Sequence, residues 1–403
     1  MQSNQLKSLI SVVCSFLLLI SCGSSGGGMT AGGGIGGTGI ISQGAVSAFG
    51  SIFVNGTEFD TSNAEFIING KVGSIDDLDI GRVVTVEGTL NGSDSDAVAD
   101  QVFYKDNVRG PVESIDIDPS DPTTKEIVVL GQIVIINVIT KFKDTTFDTI
   151  AKDDVVEVSG YLDDTGAIRA TFLGKTGDIT TILVYEVTGF VVNLDTDSEI
   201  FKINDLTVDY SSADISALPG NVLTDGLLVE VEGTLDTTSG VMIAEKIKLE
   251  EELGDADEVE IMGFVTDIIS DFEFTVGNQM VKFDVSILFV DGIPEDIALG
   301  VKIEAEGSLV DGILIADEIE FWEPDQIEVE GIVTEVDLAV NPIEFTIRNL
   351  AGDQVVEADT DTTIFEGVNP GEIAVGMKIE VKGVPSDIDI SVLIADKVSL
   401  ELD

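Results

Sequence analysis

One short phrase recurs five times along this 403-residue chain and sets the limits on its fold. VTVEGTL at 84–90 returns as VEVSGYL from 156, VEVEGTL from 229, IEAEGSL from 303 and IEVKGVP from 379. A G-x-V triplet precedes each copy, and these triplets begin at residues 44, 110, 189, 263 and 331, which are 66, 79, 74 and 68 residues apart. Self-similarity at a regular spacing indicates an array of repeated structural units.

The repeated phrase has the alternation of a half-buried β-strand. In VEVEGTL, Val229 and Val231 alternate with Glu230 and Glu232, so one face is apolar and the other is charged. A glycine then interrupts the strand, and a glycine inside a strand marks a bulge or a bend. The central glycines of the five copies are Gly88, Gly160, Gly233, Gly307 and Gly383.

The order of parts within a unit favours a small closed barrel. Each unit has an opening strand, two short strands joined by a turn, the glycine-bearing strand and a last strand. This order predicts an all-β chain, a tandem array of five small OB-like β-barrels that follow a signal peptide and a glycine-rich tether. Five open sandwiches or one continuous β-solenoid are the alternatives. Units of about 70 residues with varied internal sequence are a poor match to a solenoid coil.

The boundaries of the predicted segments follow from the G-x-V positions. They are a signal peptide at 1–21, a lipid-anchored Gly/Ser-rich linker at 22–40, and repeats 1 to 5 at 41–109, 110–187, 188–257, 258–325 and 326–403.

The N-terminus has the composition of an export signal. Lys7 supplies a positive charge, and the apolar run LISVVCSFLLLI at 9–20 is too short to span a membrane as a helix. The following Cys22 resembles the acylated cysteine of a bacterial lipobox, and Gly23 by the same resemblance favours the outer membrane of a Gram-negative bacterium. The alternative is an ordinary signal peptide with a chance cysteine. Which membrane face the body occupies is left open.

Charge and composition exclude several functions. The net charge is −55, from 75 acidic and 20 basic residues, so binding to nucleic acid is not expected. The chain has no histidine, which removes the commonest general base and metal ligand. We therefore expect a protein that is not an enzyme.

Residues 44–115 carry the clearest resemblance to a known family. GAVSAFGSIFVNGTEFDT, DLDIGRVVTVEGTL and ADQVFYKDNVRGPV resemble a domain of unknown function found in tandem in exported proteins and lipoproteins of Gram-negative bacteria. The likeness is weaker in repeats 3 to 5 and weakest in repeat 2. The resemblance implies an exported protein with tandem repeats, and it does not identify any catalytic residue.

Calcium is the one cofactor hypothesis. Asn193, Asp195, Asp197 and Glu199 in NLDTDSE offer oxygen ligands at alternate positions, although the loop lacks the glycine and glutamate of an EF-hand. Similar runs contain Asp116, Asp118 and Asp121, and Asp94 with Asp96. Solvated turns are the other interpretation of all three runs.

Trp322, the only tryptophan, and Phe321 fit either a carbohydrate-stacking platform or packing of one unit on the next, and we favour packing. The sequence as a whole predicts a non-catalytic exported lipoprotein that acts as a binding or scaffolding array at the cell envelope. The alternative is a calcium-dependent, adhesin-like surface module. The expected partners are the membrane, through Cys22, and a protein or polysaccharide that the sequence does not specify.

Overall fold

The computed structural model describes residues 39–400 except for 50, 94–95, 118–120, 183, 251–252, 350–351 and 387–390. The predicted signal peptide, Cys22 and the tether up to residue 38 lie outside the described residues, as do Asp94 and Asp118. Gly39 and Ile40, which the sequence assigned to the tether, belong to the first strand. β-Strands are the main secondary structure of the described residues, as expected for a core built from Val, Ile and Leu. Within these ranges, no helix has the length and apolar character needed to cross a bilayer.

Each repeat contributes six or seven strands. Repeat 1 contains β1 (Gly39–Ala45), β2 (Ile52–Val54), β3 (Thr57–Asp60), β4 (Glu65–Ile68), β5 (Lys71–Gly73), β6 (Val83–Ser93) and β7 (Asp96–Tyr104). Repeat 2 contains β8 (Val108–Ile117), β9 (Lys125–Val129), β10 (Gln132–Ile136), β11 (Lys141–Lys143), β12 (Asp154–Leu162) and β13 (Ile168–Asp178). Repeat 3 contains β14 (Tyr185–Phe190), β15 (Val192–Asp195), β16 (Ile200–Ile203), β17 (Leu206–Asp209), β18 (Leu228–Asp236) and β19 (Val241–Leu249).

Repeats 4 and 5 each contain six strands, as repeats 2 and 3 do. Repeat 4 contains β20 (Ala256–Ser270), β21 (Glu273–Val276), β22 (Gln279–Lys282), β23 (Leu288–Val290), β24 (Lys302–Val310) and β25 (Ile313–Trp322). Repeat 5 contains β26 (Ile327–Asp337), β27 (Ile343–Asn349), β28 (Gly352–Ala358), β29 (Ile364–Glu366), β30 (Lys378–Pro385) and β31 (Val392–Leu400). Short 3₁₀ helices lie at Ile75–Asp77, Pro219–Asn221, Pro294–Asp296 and Pro370–Glu372.

The same strand pairings recur in every repeat. The opening strand pairs antiparallel with the glycine-bearing strand, as in β8 with β12 and β26 with β30. The glycine-bearing strand pairs antiparallel with the last strand, as in β24 with β25. The last strand then pairs in parallel with the second hairpin strand, as in β10 with β13 and β28 with β31. The chain therefore makes one coil around an apolar core in each repeat.

The five repeated glycines lie at β-bulges, as the sequence predicts. The register between the glycine-bearing strand and the last strand shifts immediately before Gly88, Gly160, Gly233, Gly307 and Gly383. A Cβ on any of them would lie 2.1–2.3 Å from a carbonyl oxygen of the partner strand, well inside a normal contact. Glycine is required there because the partner backbone approaches too closely for a side chain.

The prediction of five separate OB-like barrels is wrong, because the chain forms a β-solenoid of stacked coils. Hydrogen-bonded sheets continue from one repeat into another: β1 pairs in parallel with β20, and β8 pairs with β14. One sheet of 13 strands joins repeats 1 and 4, and one of 12 strands joins repeats 2 and 3. Repeats 2 and 3 also share one apolar core, which runs from Val108 to Ile247. The strands that join repeats are the opening strands, whose backbone edges are free to pair between coils.

A buried arginine makes ring contacts and ion pairs with residues of both repeat 1 and repeat 2. Arg82, which is 4% exposed, lies between the rings of Tyr104 and Phe172, with its guanidinium carbon 4.4 and 4.3 Å from the ring centroids. Its guanidinium forms ion pairs with Asp79 at 3.2 Å, with Asp106 at 3.7 Å and with Glu157. Burial raises the pKa of Asp106 to about 7, and the charge of Glu157 adds to this effect.

Candidate functional site: a cavity between repeats

A cavity of about 620 Å³ lies where repeats 1, 2, 4 and 5 meet. Aromatic side chains from three of these repeats line it, namely Phe49, Phe142, Tyr161, Phe172 and Trp322. Polar side chains lie between them, including Asn55, Gln326 and Gln354. A mixed apolar and polar lining and a volume of several hundred Å³ are typical of small-molecule sites at domain interfaces.

The strand register of repeat 4 places Lys302 and Trp322 together in the cavity wall. Lys302 begins β24, Trp322 ends β25, and the two residues are directly paired. Residues paired in adjacent antiparallel strands point to the same side of the sheet. Here that side faces away from the repeat 4 core, and repeat 5 packs over it through Lys382, which is on β30. The Nζ atoms of Lys302 and Lys382 lie 5.2 and 4.3 Å from the Trp322 ring centroid.

Both Lys302 and Trp322 are almost completely buried. Trp322 is 6% exposed, and its indole Nε1 has no hydrogen-bond partner among the described residues. Lys302 is 5% exposed, and its Nζ donates to the backbone oxygen of Gln326 at 2.9 Å. Burial lowers the pKa of Lys302 to about 8, although the charges of Asp325 and Glu304 act in the opposite direction. The cavity wall thus holds a buried ammonium group next to a buried indole ring.

The charges on the cavity wall do not cancel one another. Asp79 is paired with Lys143 at 2.9 Å and Asp353 with Arg348 at 2.8 Å, and Glu328 lies 3.6 Å from Lys382. Every carboxylate of the wall therefore has a cationic partner. In contrast, Lys302 forms no ion pair with any residue that the structure describes. The uncompensated charge at the buried end of the wall is positive, in a chain whose net charge is −55.

A cluster of glutamate side chains lies next to the cavity, on the same outward side of repeat 4. Burial raises the pKa of Glu260 to about 8 and that of Glu306 to about 7, and it raises the pKa of Glu304 strongly. Neighbouring glutamates add to each of these increases, and Lys382 opposes those of Glu304 and Glu306. Lys382 also donates to Glu320 at 2.7 Å across the boundary between repeats 4 and 5. These carboxyl groups hold protons at higher pH than a free glutamate does, because they are buried and lie close to one another.

The predicted calcium ligands lie in β15 and in the exposed turn that follows it: Asn193 and Asp195 are in the strand, and Asp197 and Glu199 are in the turn. The Oδ1 atom of Asp195 accepts hydrogen bonds from the backbone N–H groups of Asp197 and Ser198, at 3.0 and 3.2 Å. Asn193 and Glu199 flank the turn in left-handed backbone conformations, with φ of 54° each. Asp195 thus stabilises the turn itself. In the described part of the chain, no group of three or more acidic residues is arranged to hold a metal ion. Calcium binding stays a prediction.

The favoured interpretation of Trp322, packing of one repeat on the next, agrees with its contact with Lys382 of repeat 5. Phe321 does not join Trp322 in a platform, since successive residues of β25 point to opposite sides and Phe321 packs on Phe289, with centroids 6.2 Å apart. Sequence reasoning missed Lys302 as a candidate site residue. The one sequence feature that could have indicated Lys302 is its position two residues before Glu304, the first glutamate of the repeated phrase in repeat 4.

Comparison with known proteins supports the repeats. A family model described as a domain of unknown function (DUF5666) matches residues 109–173, 177–248, 262–320 and 327–399, which correspond to repeats 2 to 5. Apart from residues 109–115, it does not match the segment 44–115, where the resemblance had been clearest. A search of curated proteins found no match. Because the four matches together cover more than half of the chain, the protein belongs to the DUF5666 family.

Proposed function

We propose that this protein is a non-catalytic binding protein of the bacterial cell envelope, which holds a small ligand in the cavity between its repeats. The observation that carries the proposal is the cavity, whose wall is completed by residues of four separate repeats. A site of this kind exists only when the repeats are stacked, so stacking and ligand binding depend on each other. The proposed lipid anchor at Cys22 attaches this binding body to the outer membrane.

Several features support binding rather than catalysis. The chain has no histidine and no nucleophile motif. The carboxylates of the cavity wall are engaged in ion pairs, whereas a general base needs access to a substrate proton. The aromatic side chains of the wall, with polar side chains among them, are features of a ligand-binding site.

The experiment is to identify what the protein carries. The full-length protein, purified from native membranes in mild detergent, is denatured, and the released small molecules are identified by mass spectrometry. Ser47→Phe narrows the cavity, because Ser47 lies in its wall. Ser212→Phe, in an exposed turn of repeat 3, is the matched control. One compound retained by the native protein and the control, and lost from Ser47→Phe, supports the proposal. No retained compound in any of the three, with all three folded, contradicts it.

The anchor is tested separately. We expect the native chain to incorporate radiolabelled palmitate and to sediment with outer membranes, and Cys22→Ala to do neither. An unlabelled native chain recovered in the soluble fraction would remove the envelope anchor from the proposal while leaving the cavity unaffected.

A further inference from the structure

We infer that the ligand of the cavity carries a carboxylate group, which pairs with the Lys302 ammonium next to Trp322, and an apolar body that contacts the aromatic wall. This inference rests on the proposed function and specifies its ligand class. It depends on three observations: the donors at the buried end of the cavity, the charge balance of the wall, and the residues that line the rest of the cavity.

The buried end of the cavity offers donors that need an acceptor. The Trp322 Nε1–H is buried without a partner among the described residues. Lys302 has three N–H donors, of which the backbone oxygen of Gln326 accepts one at 2.9 Å. An ammonium group can only donate, so the ligand must present acceptor atoms to the remaining N–H groups of Lys302. A carboxylate has two oxygens and can accept from both of these N–H groups.

The charge balance favours an anion over a neutral acceptor. Three charged groups face Lys302 from the neighbouring elements: Asp325 before β26, Glu304 on β24 and Lys382 on β30. None of the carboxylates approaches within ion-pair distance in the described structure, and Asp325 accepts a hydrogen bond from Asn137 at 2.6 Å instead. Lys141, which also lines the cavity, forms no ion pair among the described residues either, but its side chain is exposed, whereas the Lys302 ammonium is buried. One buried ammonium without an ion pair matches one negative charge. A carboxylate supplies one charge, whereas a phosphate monoester carries up to two at neutral pH.

The remaining wall suits an apolar ligand body. Phe49, Phe142 and Phe172 line the same cavity, together with aliphatic side chains such as Val46 and Ile327. A volume of about 620 Å³ lies within the usual range for small organic ligands. Burial of an apolar chain or ring against these side chains contributes affinity, and the carboxylate fixes its orientation.

Trp322 provides the assay, because it is the only tryptophan in the chain. Its fluorescence is followed while the purified protein is titrated with octanoate, octanamide, octylammonium or octyl phosphate. These probes share one chain length and differ in head group. We expect octanoate to change the fluorescence and to bind at least about tenfold more tightly than octanamide, as for a hydrogen bond to a charged group. Octylammonium should bind most weakly.

Two variants assign the effect to Lys302. Lys302→Met should remove the preference for octanoate over octanamide while leaving octanamide affinity within about twofold, since the apolar wall is unchanged. Lys143→Met is the matched control, because Lys143 also lines the cavity but is paired with Asp79. It should keep the preference. Circular dichroism and thermal unfolding confirm that each variant is folded; if Lys302→Met is not, Lys302→Gln takes its place.

The pH dependence gives an independent readout. Because the pKa of Lys302 lies near 8, octanoate affinity should fall as the pH rises above that value, whereas octanamide affinity should not change. Equal affinity for octanoate and octanamide, or tighter binding of octylammonium or octyl phosphate, overturns the carboxylate assignment and leaves cavity binding intact. No response to any of the four probes also overturns it. The proposed function itself is decided separately, by the compound retained from native membranes.

Discussion

The bulge at Gly307 offers a direct test of why the repeated phrase contains glycine. In the substitution Gly307→Ala, the new Cβ would lie 2.1 Å from the carbonyl oxygen of Ile315 and 2.8 Å from the Cα of Ala316. Normal contacts of this kind exceed 3 Å, so β24 and β25 would have to separate by about 1 Å at the bulge. Ala305 and Ile319, both fully buried beside the bulge, resist that separation.

The expected cost combines two effects. Forcing an extra methyl group into a closely packed site costs about 1–3 kcal/mol, and weakening a ladder hydrogen bond next to the bulge costs about 1 kcal/mol more. We therefore expect Gly307→Ala to lower the free energy of unfolding by about 2–4 kcal/mol. The backbone strain of a positive φ plays no part, because Gly307 does not adopt one.

The assay is denaturant unfolding of the full chain followed by circular dichroism. Gly371→Ala is the control, since a Cβ at Gly371 meets no atom within 4 Å and Gly371 has no positive φ. It should change stability by less than about 0.5 kcal/mol. The same loss should appear for Gly233→Ala, whose Cβ would lie 2.2 Å from the carbonyl oxygen of Ile243. If Gly307→Ala unfolds within 0.5 kcal/mol of the unmodified chain, close backbone approach is not the reason for these glycines.

Three further predictions concern charges and ions. Arg82→Met should lower the free energy of unfolding by about 3–5 kcal/mol because it leaves buried carboxylates without a counter-charge. Arg348→Met, which breaks an ion pair on the surface, should cost much less because solvent screens that pair. Similar losses for the two variants in denaturant unfolding would contradict this. The pKa of Glu260 rises from 4.5 to about 8 on folding, so between these pH values the folded chain holds a proton that the unfolded chain releases. The contribution of this proton to the free energy of unfolding is therefore fully present below pH 4.5 and is lost as the pH rises to 8. Glu260→Gln should reduce that loss, as measured by unfolding at several pH values, and an unchanged pH profile would refute it. If the binding-array interpretation holds, the melting temperature should be the same with calcium and with chelator, and a clear rise with calcium would favour the adhesin-like alternative.

The sequence alone determined the local structure of each repeat. The alternation of apolar residues with Glu in the repeated phrase defined the buried face of that strand, and the central glycine marked the bulge in all five repeats. These features depend on residues that are neighbours in sequence or across one hairpin. Strand order and bulge position could therefore be predicted without knowledge of the tertiary structure.

Only the tertiary structure decided how the repeats meet, and with it the cavity. Nothing in β1 or β20 indicates that residues 39–45 would pair with a strand of repeat 4, because backbone edges carry little sequence signal. Lys302, Glu304 and Glu260 occupy the polar face of their strands and look solvent-exposed in the sequence. They are buried because other repeats pack against that face: Lys382 of repeat 5 lies over Trp322, and Thr57 of repeat 1 donates a hydrogen bond to Glu260. Packing between repeats therefore turns the outward face of the repeat 4 strands into a wall of the cavity.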